Sequence, residues 1–159
     1  MKRTFILLFA LLSLNMAYGQ DKEVAVLQPK TMQGTVSNND KLIIVSSMKK
    51  AFTQIDGYKA FTRSSQALID AEQEFQRSGK VSEASIKKMG EQNGAAFICT
   101  FTLSLENNEL VVNSDIIDVE SGSRQYERQR YMNNSIFFAC DSQKLACLSI
   151  KKIAPEKNN

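Results

Sequence analysis

The sequence of 159 residues predicts an α/β (α+β) fold, with helices packed on a single mixed β-sheet that ends in an antiparallel meander. Between residues 41 and 94, apolar residues recur every three or four positions in three segments, which is typical of amphipathic helices. From residue 97 onward, strand-forming runs are separated by short turns. Helices early in the chain and hairpins late in it indicate one sheet covered by helices.

The chain begins like a secretory signal peptide. Lys2 and Arg3 precede an apolar stretch at residues 5–14, and Ala17-Tyr18-Gly19 has the small residues of a cleavage site. The apolar stretch is too short to span a bilayer. We therefore expect residues 1–19 to be removed, which leaves one domain at residues 20–154 and a polar tail at residues 155–159.

The composition of the mature chain excludes several function classes. The net charge of +3 falls to +1 once Lys2 and Arg3 are removed, so no nucleic-acid partner is expected. No later stretch predicts a transmembrane segment, and Cys99 is the first cysteine, so we expect a periplasmic protein without a lipid anchor. The chain has no histidine, the commonest general base and nitrogen ligand of metals. We expect no catalytic residue, cofactor or metal.

The first half of the mature chain predicts, in order, a strand, a helix, a strand and two helices. Asn39 or Asp40 is expected to cap the first helix, and Ser82 the third, which Gly94 ends. The predicted segments are a strand at 24–27, a loop at 30–39, a helix at 41–54, a strand at 58–62 and two further helices. The first of these helices follows Ser64 and Ser65 and carries Leu68, Ala71 and Phe75 on one side. The second lies between Ser82 and Gly94, and its Ile86, Met89 and Gly90 face inward.

The second half predicts a three-stranded meander followed by a helix. Residues 97–105 alternate as in a half-buried strand, and Asn107-Asn108 suit a two-residue turn because both can adopt positive φ. That turn places Leu105 opposite Leu110 and Cys99 opposite Ile116, so the apolar faces of the two strands coincide. A third strand is predicted at 123–131, and a helix at about 135–152.

Three segments carry a resemblance to a known family. They are residues 75–79 (FQRSG), 89–95 (MGEQNGA) and 116–122 (IIDVESG), and in this order and spacing they resemble the CsgG/LpoB-type envelope domain. The resemblance implies a fold like the amino-terminal domain of TolB and a place in the periplasm. It also implies a role in curli-type secretion, or in activation of a penicillin-binding protein that builds peptidoglycan.

This sequence differs from those relatives in two respects. It lacks their anchoring cysteine, and it is too short to hold the inserted transmembrane hairpins of the pore-forming members. The resemblance therefore favours a non-catalytic module that binds an envelope partner, either a cell-wall synthase or a secretion and assembly component. A passive structural subunit of a secretion assembly, which forms a homo-oligomer, stays open as an alternative.

The predicted strand at 123–131 is the candidate partner surface. One of its faces carries Arg124, Tyr126, Arg128 and Arg130, and arginine and tyrosine are the residue types that anchor protein interfaces. An edge strand also offers unpaired backbone groups to a partner. The alternative is that these charges only protect an edge strand from aggregation.

Asp115, Asp118 and Glu120 are the candidate acidic cluster. Neighbouring carboxylates can bind calcium or perform acid/base chemistry, so an envelope hydrolase or transferase is a second hypothesis. The alternative is an ordinary turn, in which a polar side chain bonds the backbone and Gly122 adopts positive φ.

The three cysteines allow at most one internal disulfide. Cys99 lies on the apolar side of its predicted strand and is expected to be a buried thiol. If the last helix begins at Asp141-Ser142, Cys140 can fold back on Cys147 and form a disulfide after export. Two separate thiols are the alternative.

Overall fold

The structure is a computed structural model that describes residues 21–61, 66–132, 138, 141–146 and 152. It confirms the predicted α+β class. In chain order the elements are β1 (Lys22–Val26), β2 (Lys30–Gln33), α1 (Asn38–Thr53), β3 (Tyr58–Phe61), α2 (Gln66–Ser78), α3 (Glu83–Asn93), β4 (Ala95–Glu106), β5 (Glu109–Asp118) and β6 (Arg124–Tyr131). Residues 141–146 are also helical.

The strands form one mixed sheet in the order β3-β1-β4-β5-β6. β2 pairs with residues 102–104 of β4, beyond the residues of β4 that pair with β1. β1 runs parallel to both β3 and β4, whereas β4, β5 and β6 form the predicted antiparallel meander. Asn107 and Asn108 have φ of 51° and 66°, and Leu105 lies opposite Leu110, as the turn chemistry predicts.

Helices cover both faces of the sheet. On one face, α1 and residues 138 and 145–146 pack against Phe97, Phe101 and other β4 and β5 side chains, and together they form the first core. On the other face, α2 and α3 pack against Ala25, Ile98 and Ile117 to form the second core. The prediction that β4 is half-buried is therefore wrong, because helices cover both of its faces.

Two further predictions in the first half are wrong in detail. β2 lies inside the predicted loop at 30–39, since these polar residues pair in parallel with residues 102–104 of β4. The cap of α1 is Ser37, whose Oγ accepts from the main-chain N–H of Asp40 at 3.0 Å, and is neither Asn39 nor Asp40. Ser64 and Ser65 lie outside the described residues.

Both predicted ends of α3 are confirmed. Ser82 caps α3 through the N–H of Ser85, and Gly94 ends it with φ of 65°. Phe138 packs edge-on against Phe101 and Tyr131, so the described part of the predicted last helix contributes to the first core. Within the described residues, no helix has both the length and the apolar character needed to cross a membrane.

Candidate partner-binding surface

β6 is the last strand of the described sheet and pairs with β5 alone among the described strands. Its register sets Arg124, Tyr126, Arg128 and Arg130 opposite residues 117, 115, 113 and 111 of β5, on the face that carries α2 and α3. All four side chains are exposed, and they define the β6 face. These four residues therefore share one face of β6, as the sequence pattern predicts.

The arginines of the β6 face are ion-paired within the domain. Arg128 lies 3.0 Å from Glu106, and Arg130 lies 3.0 Å from Glu106 and 3.4 Å from Glu109. Arg124 lies 3.6 Å from Asp115. Three carboxylates of β4 and β5 thus face three guanidinium groups, and the β6 face is charge-balanced, although the strand alone is basic.

Tyr126 is the aromatic residue of the β6 face, and 57% of its surface is exposed to solvent. Its hydroxyl donates to Oδ1 of Asn113 at 2.7 Å, and Nδ2 of Asn113 donates to Oγ1 of Thr102 at 3.2 Å. This chain of hydrogen bonds crosses from β6 through β5 to β4. It fixes the direction of the ring while most of its surface stays in contact with solvent.

Arg124 joins β6 to the helical layer. Its Nη2 donates to the main-chain oxygen of Val81, in the link between α2 and α3, at 3.2 Å. Burial raises the pKa of the Asp115 carboxyl beside it, and the Arg124 charge opposes that rise. Arg124 is therefore partly structural, and the other three residues of the face are more available to a partner.

The structure does not bring Asp115, Asp118 and Glu120 together. Asp115 points to the α2 and α3 side of β5, and Asp118, three residues later, points to the opposite side. Oδ1 of Asp118 accepts from the main-chain N–H of Ser121 at 2.7 Å, and Gly122 has φ of 69°, so the segment is a turn. Among the described residues, no three acidic or cysteine side chains are grouped to hold a metal ion.

Cys99 is buried in the first core as expected, with a free thiol. Burial, reinforced by the nearby Asp115 charge, raises the pKa of this thiol well above its usual value. Cys140 and Cys147 lie outside the described residues, so their disulfide stays a prediction.

A groove that no sequence pattern predicted lies between α3 and the turn that follows β5. Its volume is about 520 Å³, and we call it the α3 groove. Glu83, Ile86, Lys87, Gly90 and Glu91 line one wall, and residues 119–122 line the other. The only local signal is Gly90, where a side chain would collide with Val119.

Comparisons with solved structures find a similar fold in other bacterial proteins. TolB from Acinetobacter baumannii is similar with a TM-score of 0.54 and 9% identity, over 85% of this chain and 29% of TolB. The L103M variant of PelC from Paraburkholderia phytofirmans, a dodecamer, is similar with a TM-score of 0.52 and 11% identity, over 84% of this chain and 91% of PelC.

The LpoB C-terminal domain from Salmonella enterica is similar with a TM-score of 0.48 and 12% identity, over 72% of this chain and 84% of that domain. No protein-family model matches the sequence, and no curated protein matches it. At these identities the likeness to TolB and PelC concerns the fold alone.

Proposed function

We propose that this chain is an exported, periplasmic domain of the bacterial envelope that binds a protein partner through the β6 face. The observation that carries the proposal is the placement of Tyr126. It lies on the last strand of the described sheet, 57% exposed, and a hydrogen bond to Asn113 holds its ring in place. A rigid, exposed aromatic ring between arginines is the usual composition of an interface anchor.

The internal ion pairs decide what kind of binding to expect. Because Glu106, Glu109 and Asp115 already balance the arginines, long-range attraction of an acidic partner is weak. We propose that the partner adds contacts to the Tyr126 ring and to the edge of β6, and that the association depends little on salt.

Photo-crosslinking in living cells tests this proposal. A benzophenone amino acid replaces Tyr126, and a matched control carries it at Leu42, which is 60% exposed on α1 across the sheet. We expect position 126, and not position 42, to capture an envelope protein that mass spectrometry identifies. Failure to crosslink from position 126, or the same products from both positions, contradicts the proposal.

Export is part of the proposal and has its own measurement. We expect the chain in the periplasmic fraction, with Gln20 as its first residue by N-terminal sequencing. A chain that keeps residues 1–19 and stays in the cytoplasm contradicts it.

A structural subunit of a homo-oligomer is the second candidate function, and the dodecameric state of PelC, which shares the fold, favours it. Antiparallel pairing of β6 with β6 of a second copy is unfavourable. A two-fold axis places side chains of the β6 face opposite side chains of the same face in the other copy, so arginines of the two copies lie opposite one another. A ring of copies therefore needs other contacts, such as β6 against β3. Light scattering of the purified chain separates this candidate from a monomer.

A further inference from the structure

The α3 groove has the dimensions of a peptide site. Glu83 and Glu91 are eight residues apart on α3, which corresponds to about 12 Å along the helix axis. An extended peptide advances about 3.3 Å per residue, so the groove accommodates a segment of three or four residues. Ile86 and Gly90 on the α3 wall and Val119 on the other wall supply the apolar part of its lining.

The charges around the groove are mostly negative. Glu83, Glu91 and Glu120 line it, and Lys87 is the one cation among the described residues that line it. The ammonium of Lys87 is 3.9 Å from Glu91. Both partners of that ion pair are largely exposed, so the pair neutralises the groove only weakly. The C-terminal end of α3 adds the partial negative charge of its last carbonyl groups.

A second pocket of about 310 Å³ adjoins the α3 groove. The two share Gly90, Val119 and Glu120, and the second adds Lys22, Phe97 and Asp118. There the ammonium of Lys22 lies 5.9 Å from the centroids of the Tyr58 and Phe97 rings. The second pocket thus already holds a cation against aromatic rings beside a carboxylate.

We propose that the α3 groove binds a short extended segment of a partner protein in which a lysine or arginine lies next to an aliphatic residue. The aliphatic side chain packs on Ile86 and Val119, and the cation pairs with one of the carboxylates that line the groove, Glu83, Glu91 or Glu120. None of the residues of the β6 face lines this groove, so the inference is independent of the proposed function.

Fluorescence anisotropy with the purified full chain tests this site. The probe is a fluorescein-labelled peptide of sequence Gly-Leu-Lys-Val-Arg-Gly, and the control peptide carries glutamate in place of its lysine and arginine. We expect only the basic probe to bind, with an affinity that falls about tenfold or more between about 50 mM and 500 mM salt.

Two variants locate the binding. The combined substitution Glu83→Gln, Glu91→Gln and Glu120→Gln keeps the shape of the side chains and removes the charges. We expect it to weaken binding of the probe about tenfold, while Tyr126→Ala on the β6 face leaves binding unchanged. Circular dichroism and thermal melts confirm that both variants are folded.

Several outcomes overturn the inference. These are no binding of the basic probe, equal binding of the acidic peptide, or an unchanged affinity in the triple glutamine variant. Displacement of the probe by millimolar calcium with retention of calcium by the protein also overturns it, because the carboxylates then form a cation site.

Discussion

Gly90 and Val119 are in direct contact, because Cγ1 of Val119 occupies the space into which a side chain at position 90 would point. Gly90 lies within α3, and Val119 follows the last residue of β5. This contact fixes the distance between the two walls of the α3 groove. It also explains a glycine inside a helix, where glycine costs about 1 kcal/mol relative to alanine.

Gly90→Ala is expected to destabilise the domain by about 1–2 kcal/mol, because the added Cβ overlaps Val119 and forces the walls apart. In a Val119→Ala background the overlap is gone, and the same substitution should stabilise by up to about 1 kcal/mol through helix propensity. Urea unfolding of the four proteins measures both effects. If Gly90→Ala stabilises the domain when Val119 is present, the contact does not exist in solution.

Tyr131 and Tyr126 are expected to respond in opposite ways to loss of the hydroxyl. Tyr131 is 5% exposed, and its hydroxyl has no hydrogen-bond partner among the described residues. Removing an unsatisfied buried group is neutral or favourable by up to about 1–3 kcal/mol, so Tyr131→Phe should not destabilise. Tyr126→Phe loses the bond to Asn113 and should cost about 0.5 kcal/mol at this exposed position.

Tyr131→Phe should also change how stability depends on alkaline pH. Burial, reinforced by the charge of Asp141, raises the pKa of Tyr131 to about 12. The folded state therefore keeps a proton that the unfolded chain releases at about pH 10, and this stabilisation is lost as the pH rises from 10 to 12. Tyr131→Phe should flatten the fall in unfolding free energy over that range. If the unfolding free energy of Tyr131→Phe falls as steeply with pH as that of the wild type, the hydroxyl of Tyr131 is not buried.

The elements that the sequence predicts well are those specified by neighbours in the chain. The β4–β5 register follows from Asn107-Asn108 and from local alternation, and the end of α3 follows from Gly94. The cap of α1 could not be chosen in this way, because Ser37 is followed by three other residues that can also cap a helix.

What the sequence could not predict depends on distant pairings. β2 is too polar to resemble a strand and forms only because β4 offers it a partner more than 70 residues away. The sequence pattern predicted that the arginines of the β6 face share one face of the strand. The glutamates that pair with Arg128 and Arg130 lie 22 and 21 residues earlier, and they become neighbours only through strand pairing in the sheet. The α3 groove needs Gly90 and Val119 in contact, which no local pattern indicates.

Acid titration should show whether burial or ion pairing dominates at Asp115. Burial raises the pKa of this carboxyl and Arg124 lowers it, with burial the larger effect. A raised pKa in the folded state means that Asp115 contributes stability at low pH, which is lost as the pH rises through that pKa.

Unfolding free energies of the wild type and Asp115→Asn between about pH 3 and pH 6 measure this contribution. We expect the wild type to gain stability relative to Asp115→Asn as the pH falls. If Arg124 dominates, the wild type instead loses stability relative to the variant. An Arg124→Gln background provides the control, since removing the guanidinium should enlarge the expected gain.

Thiol titration tests both predictions about cysteine. Cys99 is buried and its thiol has a pKa well above the usual value, so Ellman's reagent should not modify it in the folded chain at pH 8. If Cys140 and Cys147 form a disulfide, denaturation without reductant should expose one thiol per chain, and Cys99→Ala should expose none. Three thiols in denaturant exclude the disulfide, whereas rapid modification of the folded protein that Cys99→Ala abolishes shows that the β4 thiol is accessible.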